Sequence, residues 1–163
     1  MRRWQLLKTN ARHDRIVAEA RALWRDRYAR DRADSNESTT VRTVIGCALN
    51  DLGCASEALA ELDAMLAAKG RVRGPEARET LGIRHERARA LAALDRAPEA
   101  LAEFDAVLAA EERVLGPEAH ETLATRHERA RCLFSLGRTA EATGEFDAII
   151  ARRVRDPADR GCG

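Results

Sequence analysis

The chain has 163 residues, a formal net charge of +1, 45% hydrophobic residues and only 4% aromatic residues. This length suits one domain or one short repeat array, and the near-zero net charge argues against wholesale nucleic-acid binding. No apolar run approaches the roughly 18 residues that cross a bilayer, and the first residues lack the apolar segment of a secretory signal. Four cysteines follow no zinc or redox spacing, so we expect a cytoplasmic protein with free thiols and no membrane contact.

The N-terminal segment, residues 1–36, is basic and is predicted to be helical. Ten of its first 32 residues are Arg or Lys, whereas four are Asp or Glu. A basic stretch with aromatic residues can contact nucleic acid or a membrane surface. Its apolar residues nevertheless share one helical stripe, so we expect a degenerate repeat that packs on the array behind it. The stripe consists of Ile16, Val17, Ala20, Leu23, Trp24 and Tyr28.

A repeat of 42 residues dominates the rest of the sequence. Residues 74–109 and 116–151 are identical at 23 of 36 positions, and the same register extends back to about residue 37. Self-similarity at one fixed period is the signature of a repeat architecture. The predicted organisation is three repeats followed by a disordered tail: the repeats span about 37–75, 76–117 and 118–157, and the tail spans 158–163.

Each repeat is predicted to be a pair of helices. In the second repeat, the helices run from about Thr80 to Leu94 and from Pro98 to Val114. Apolar residues of the second helix are spaced i, i+3, i+6 and i+7, which gives one helical stripe. Gly or Asp in the turn suits the left-handed residue that ends a helix. Since a single pair cannot bury its apolar face, neighbouring pairs must stack.

The pattern resembles the 42-residue tetratricopeptide repeat of kinesin light chains over about 37–157. The family's small residue matches Ala58, Ala100 and Ala142, and its large packing residue matches Leu62, Phe104 and Phe146. The resemblance implies an all-α superhelix, a right-handed solenoid of antiparallel helix pairs that binds proteins. Where the family carries Leu, this chain has Arg87 and Arg129, whose heads we expect in water or bonded to a Glu.

The resemblance also implies a concave groove that is lined by the first helix of each repeat and binds an extended peptide. His85 and Arg89 share a helix face, as do His127 and Arg131. Arginine forks suit carboxylates, so we expect an acidic peptide or a C-terminal carboxylate. The alternative is a charge ladder that Glu86 and Glu128 neutralise. The candidate groove residues are Thr43, Cys47, Asn50, His85, Arg89, His127, Arg131 and Phe134.

Neither a catalytic motif nor a cofactor motif is evident, so we expect no enzymatic activity and no cofactor. His85 and His127 lack a third ligand, which argues against a metal site. The last helix is expected to expose Ile149 or Ile150, and a homodimer through that end is one expectation. The alternative function is a regulatory or accessory subunit of an enzyme or transcription factor, whose basic N-terminal helix contacts the target or nucleic acid.

Overall fold

The computed structural model describes residues 36–69 and 74–155, together with residues 15, 17–19, 21, 22 and 26. The two continuous stretches form six α-helices and no strand. The tail predicted at 158–163 lies outside the described residues. The helices are α1 (Asn36–Asp51), α2 (Ala55–Lys69), α3 (Arg78–Ala93), α4 (Ala97–Val114), α5 (His120–Ser135) and α6 (Thr139–Arg155).

The helices pair in chain order, and each pair closes through one residue in the left-handed region. These residues are Gly53, Asp95 and Gly137, with φ of 77°, 59° and 75°. Aspartate tolerates this conformation better than most residues because its side chain is short and polar. In the second pair, the N–H of Arg96 then donates to the carbonyl of Leu91 at 3.0 Å. This bond satisfies one of the free carbonyls at the helix end, and equivalent bonds close the other two pairs.

Buried apolar side chains form two clusters that cross the boundaries between repeats. The first combines side chains of α1 and α2 with Ile83 of α3, and the second combines side chains of α3 and α4 with Leu133 of α5 and Ala142 of α6. Each pair therefore covers the apolar face of the pair before it, as predicted for a stacked array. The small residues of the repeat are almost completely buried, and their small side chains let the helices approach closely. These residues are Ala58, Ala100 and Ala142.

Two arginines connect successive repeats through aspartates. Arg87 Nε of α3 donates to Asp63 Oδ1 of α2 at 2.6 Å. One repeat later, Arg129 Nε of α5 donates to Asp105 Oδ1 of α4 at 2.5 Å. Arg129 Nη1 also donates to Glu145 Oε1 at 2.7 Å. Of the two arginines expected in water or bonded to a Glu, Arg129 forms a hydrogen bond with a Glu, whereas Arg87 only approaches Glu103 at 3.9 Å. The shortest bond of each goes instead to an aspartate of the preceding repeat.

The described residues near the N-terminus lie against the first helix pair. Val17 is only 6% exposed and belongs to the first apolar cluster. Arg21 Nη2 lies 3.1 Å from Glu57 Oε2 of α2 and 3.8 Å from Glu61 Oε1. These contacts agree with a helix that packs on the array, because apolar burial and opposite charges act on the same face.

Candidate functional site

The first helices α1, α3 and α5 lie side by side and line two adjoining hollows. One of about 270 Å³ lies between the ends of the three helices, and one of about 480 Å³ continues it towards α6. The candidate residues that line these hollows are Asn50, Arg89 and Arg131 in the first, and His85, Arg89 and His127 in the second. Neither lining includes Thr43, Cys47 or Phe134. We call the continuous surface of these first helices, which includes both hollows, the groove, and the part contributed by each repeat a level.

The first level is neutral. Cys47 is half-buried, and burial, together with the nearby carboxylate of Glu86, raises the pKa of its thiol to about 12. The thiol is therefore protonated at neutral pH and is a poor nucleophile. Asn50 Nδ2 donates to the main-chain oxygen of Glu86 at 3.1 Å and to its Oε2 at 3.0 Å. Thr43, one turn before Cys47, is half-buried.

The second level is charge-compensated around Glu86. Arg89 Nη1 donates to Glu86 Oε2 at 3.0 Å, and Arg89 Nη2 donates to Asp51 Oδ1 at 3.4 Å. The sequence places Glu86 near Arg89, as the ladder alternative required. It gave no sign that Asn50 also binds Glu86, because that contact joins two repeats across 36 residues. Arg89 therefore offers little uncompensated charge to a ligand.

His85 is bound by side chains of the array and is mostly buried within the second level. Its Nδ1 shares a hydrogen bond of 2.8 Å with Thr125 Oγ1 of the next repeat. Its ring meets the Phe104 ring edge to face, with centroids 5.6 Å apart. Burial lowers the pKa of His85, so the neutral imidazole dominates at neutral pH. Packing between repeats thus desolvates the ring, and His85 adds no positive charge to the second level.

The third level contains groove side chains that are exposed to solvent. The Arg131 side chain is 64% exposed and binds Glu128 at 3.1 Å, three residues away. Such an exposed pair contributes only about 0–1 kcal/mol, so a ligand carboxylate can replace Glu128 at small cost. Phe134, also 64% exposed, lies one turn further along α5. His127 is exposed too, and its ring rests edge to face on Phe146 at 5.5 Å.

The groove has no metal-binding arrangement among the described side chains, since no three His, Cys, Asp or Glu residues converge there or elsewhere in the described part of the chain. Over the same residues, no helix combines the length and the apolar character that crossing a membrane requires. The described groove thus combines hydrogen-bonding groups with the exposed side chains of Arg131, Phe134 and His127. This chemistry suits recognition of a polypeptide.

Comparison with known proteins identifies the repeat. Residues 79–151 match the tetratricopeptide repeat family. One similar structure contains a single-residue variant of the nearly identical TPR-like repeats of a protein named as a kinesin light chain from Podosopora anserina. It gives a TM-score of 0.73 and 23% identity, and the match covers 90% of this chain and 69% of that one. BtubC (BKLC) from P. vanneervenii gives a TM-score of 0.71 and 16% identity over 94% of this chain and 78% of that one. No curated protein matches the sequence.

Residues 79–151 are therefore a tetratricopeptide repeat region of this chain. Its fold is the all-α superhelix of kinesin light chain-like repeats, as the sequence predicted. This fold is generally a non-catalytic scaffold for contacts between proteins.

Proposed function

We propose that the chain is an interaction scaffold that binds an extended, acidic peptide segment in the groove, with its anchor at the third level. The carboxylate of the segment pairs with Arg131, and an apolar side chain of the segment packs on Phe134. Arg131 and Phe134 are three residues apart on α5 and so lie on one face. Arginine and aromatic residues supply most of the binding energy at protein interfaces.

The observation that carries this proposal is the contrast between the second and third levels. Arg131 occupies the position of Arg89 one repeat later, but its side chain is 64% exposed against 31% for Arg89. Arg89 is bound by two carboxylates of its own chain, whereas Arg131 is bound by one. A ligand carboxylate therefore gains more at Arg131, because less of the charge is already neutralised.

The alternative function gains no support from a specific contact. Arg21, a described residue of the basic N-terminal segment, already binds Glu57 of α2. Most of that segment lies outside the described residues. The groove is therefore the surface on which the proposal rests.

Selection of random twelve-residue peptides displayed on phage, with the purified full chain as bait, tests the proposal. We expect enriched peptides that carry Asp or Glu next to a large apolar residue. Their affinity should fall about tenfold in Arg131→Ala, which corresponds to the roughly 1.4 kcal/mol of a charge-assisted hydrogen bond.

Arg138→Ala is the matched control. Arg138 also pairs with a glutamate three residues away, Glu141 at 2.7 Å, and it too is largely exposed, but it lies outside the linings of both hollows. Enriched peptides without acidic residues, or equal affinity for the two variants, would show that the third level is not an acidic-peptide anchor.

A further inference from the structure

The first two repeats present a face that is covered by the first helix of the next repeat. On the face of the first repeat, Leu62 and Met65 pack with Ile83 of α3, and Asp63 binds Arg87. The covering helix α3 therefore contributes one apolar side chain to the cluster and one arginine that binds the aspartate.

The face of the second repeat is covered in the same way. Val107 is fully buried, and Leu108 is 8% exposed. Asp105 binds Arg129 of α5, and His85 shares its hydrogen bond with Thr125 of the same helix. Thr125 and Arg129 are four residues apart, so one face of α5 carries both groups.

The third repeat presents the same face with no cover among the described residues. Ile150, the counterpart of Leu108, is 60% exposed, whereas Ile149 is 7% exposed. Phe146 is half-buried, although its counterpart Phe104 is fully buried. These residues line the hollow of about 480 Å³, and we call them, with His127 and Asp147, the end face.

The polar groups of the end face also lack the partners that their counterparts have. Asp147 corresponds to Asp63 and Asp105, and each of those binds an arginine. Asp147 is exposed and has no ion-pair partner among the described residues. His127 corresponds to His85 but has no hydrogen-bond partner in the described part of the chain. An unpaired carboxylate beside an exposed isoleucine favours a partner that brings a cation and an apolar surface together.

We propose that the end face is a second docking site, which accepts an amphipathic helix of a partner protein. The helix carries an arginine that binds Asp147, a Ser or Thr four residues earlier that binds His127, and apolar residues between these levels that cover Ile150. The same charge complementarity occurs between the first and second repeats and between the second and third repeats, where an arginine of the covering helix binds the equivalent aspartate. The end face shares His127 and the larger hollow with the groove, but Asp147 and Ile150, on which docking depends, lie on α6 and not on the first helices.

A synthetic copy of residues 118–137 of this chain is the probe, because α5 covers the equivalent face of the second repeat. Since isolated helices of this length are marginal in water, the peptide is stapled between positions 127 and 131, which are exposed on α5. Fluorescence anisotropy with the full chain measures the dissociation constant. We expect binding that weakens about threefold in Asp147→Asn and at least about tenfold in Ile150→Asp.

Asp95→Asn, a change at an exposed turn residue of the second repeat, is the matched control and should leave the affinity unchanged. Arg131→Ala should also leave it unchanged, which separates this site from the proposed groove function. Reversing both charges gives the sharpest test: Asp147→Arg should bind the peptide carrying Arg129→Asp better than it binds the original peptide.

Absence of binding at about 1 mM peptide, or affinity that is insensitive to both end-face variants, would overturn the proposal. Analytical ultracentrifugation of the full chain tests whether a second copy of the chain occupies the end face instead. A concentration-dependent dimer that Ile150→Asp abolishes would show that a second copy covers the end face, and this too would overturn the proposal.

Discussion

Arg84 of α3 and Glu103 of α4 are joined by two hydrogen bonds, from Nε to Oε1 at 2.9 Å and from Nη2 to Oε2 at 3.2 Å. The arginine and the glutamate are 19 residues apart, and both side chains are mostly buried, with 23% and 18% exposed. The same pair joins the two helices of the other repeats: Arg42 binds Glu61 at 3.0 Å, and Arg126 binds Glu145 at 3.2 Å.

Removal of this arginine should destabilise the array. In Arg84→Ala, Glu103 keeps its burial but loses its bidentate partner, which costs about 1–3 kcal/mol of unfolding free energy. Urea denaturation followed by circular dichroism measures the change. Arg96→Ala is the control, because its partner Glu99 is exposed, and its unfolding midpoint should stay close to that of the parent chain. Equal midpoints for the two variants would contradict the structural role of the Arg84 pair.

Two glycines within helices should respond in opposite directions to alanine. A Cβ at Gly46 of α1 would lie 2.9 Å from Leu62 Cδ2 in the buried core, whereas a Cβ at Gly82 of α3 would meet nothing within 4 Å. Gly82→Ala should stabilise the chain by about 0.5–1 kcal/mol through helix propensity. Gly46→Ala should lose that gain, and about 1 kcal/mol more, to overpacking. Thermal unfolding of both variants measures the difference, and a more stable Gly46→Ala variant would contradict the close approach of α1 and α2.

The buried His85 should make stability fall in mild acid. Its folded pKa is lowered by burial, although the carboxylates of Glu86 and Glu128 oppose the shift and Arg89 adds to it. Protonation therefore favours the unfolded chain. The stabilising contribution is present above the unfolded pKa, about 6.5, and is lost as the pH falls through the lower folded pKa.

Thermal unfolding between pH 7.5 and pH 5 checks this prediction. The parent chain should lose more stability over this range than His85→Gln does, because glutamine takes up no proton. His127→Gln, which removes the exposed histidine at the equivalent position, is the matched control. Identical pH profiles for the parent chain and His85→Gln would mean that His85 is not desolvated.

Glu111 of α4 should have the opposite pH dependence. It is 2% exposed, and burial raises its pKa, whereas a hydrogen bond from Thr125 opposes the shift. The contribution of Glu111 to stability is then fully present below the unfolded pKa of about 4.3 and is lost as the pH rises through the folded pKa. Glu111→Gln should raise the unfolding temperature at pH 7.5 by about 2–4 °C, and this advantage should shrink as the pH falls towards 4. An advantage that persists at pH 4 would assign the effect to packing.

The 42-residue register predicted most of the fold. It placed the helix pairs, the left-handed turn residues and the small and large packing positions, because each of these depends on local sequence repeated at one period. The second-repeat helices begin and end within two residues of their predicted limits, at Arg78–Ala93 and Ala97–Val114. Local propensity and periodicity were sufficient for these features.

The electrostatic state of the groove could not be predicted in the same way. His85 shares its hydrogen bond with the Thr125 hydroxyl of the following repeat. Glu86 accepts a hydrogen bond from the amide of Asn50 in the preceding repeat. The second repeat has Ile83 where the third has Thr125, so the repeat pattern itself does not reveal the hydrogen bond. Burial and pairing between repeats depend on the three-dimensional stack, and they decide which predicted cations stay open to solvent.

The most direct test of the scaffold function is the location of a bound peptide on the chain. Titration of ¹⁵N-labelled protein with the peptide that is selected most strongly should shift backbone amide signals along the first helices. The largest shifts are expected at Arg131 and Phe134, with smaller ones near Asn50 and Arg89. Shifts confined to the outer helices α2 and α4 would contradict binding in the groove and would place the interaction on the opposite surface.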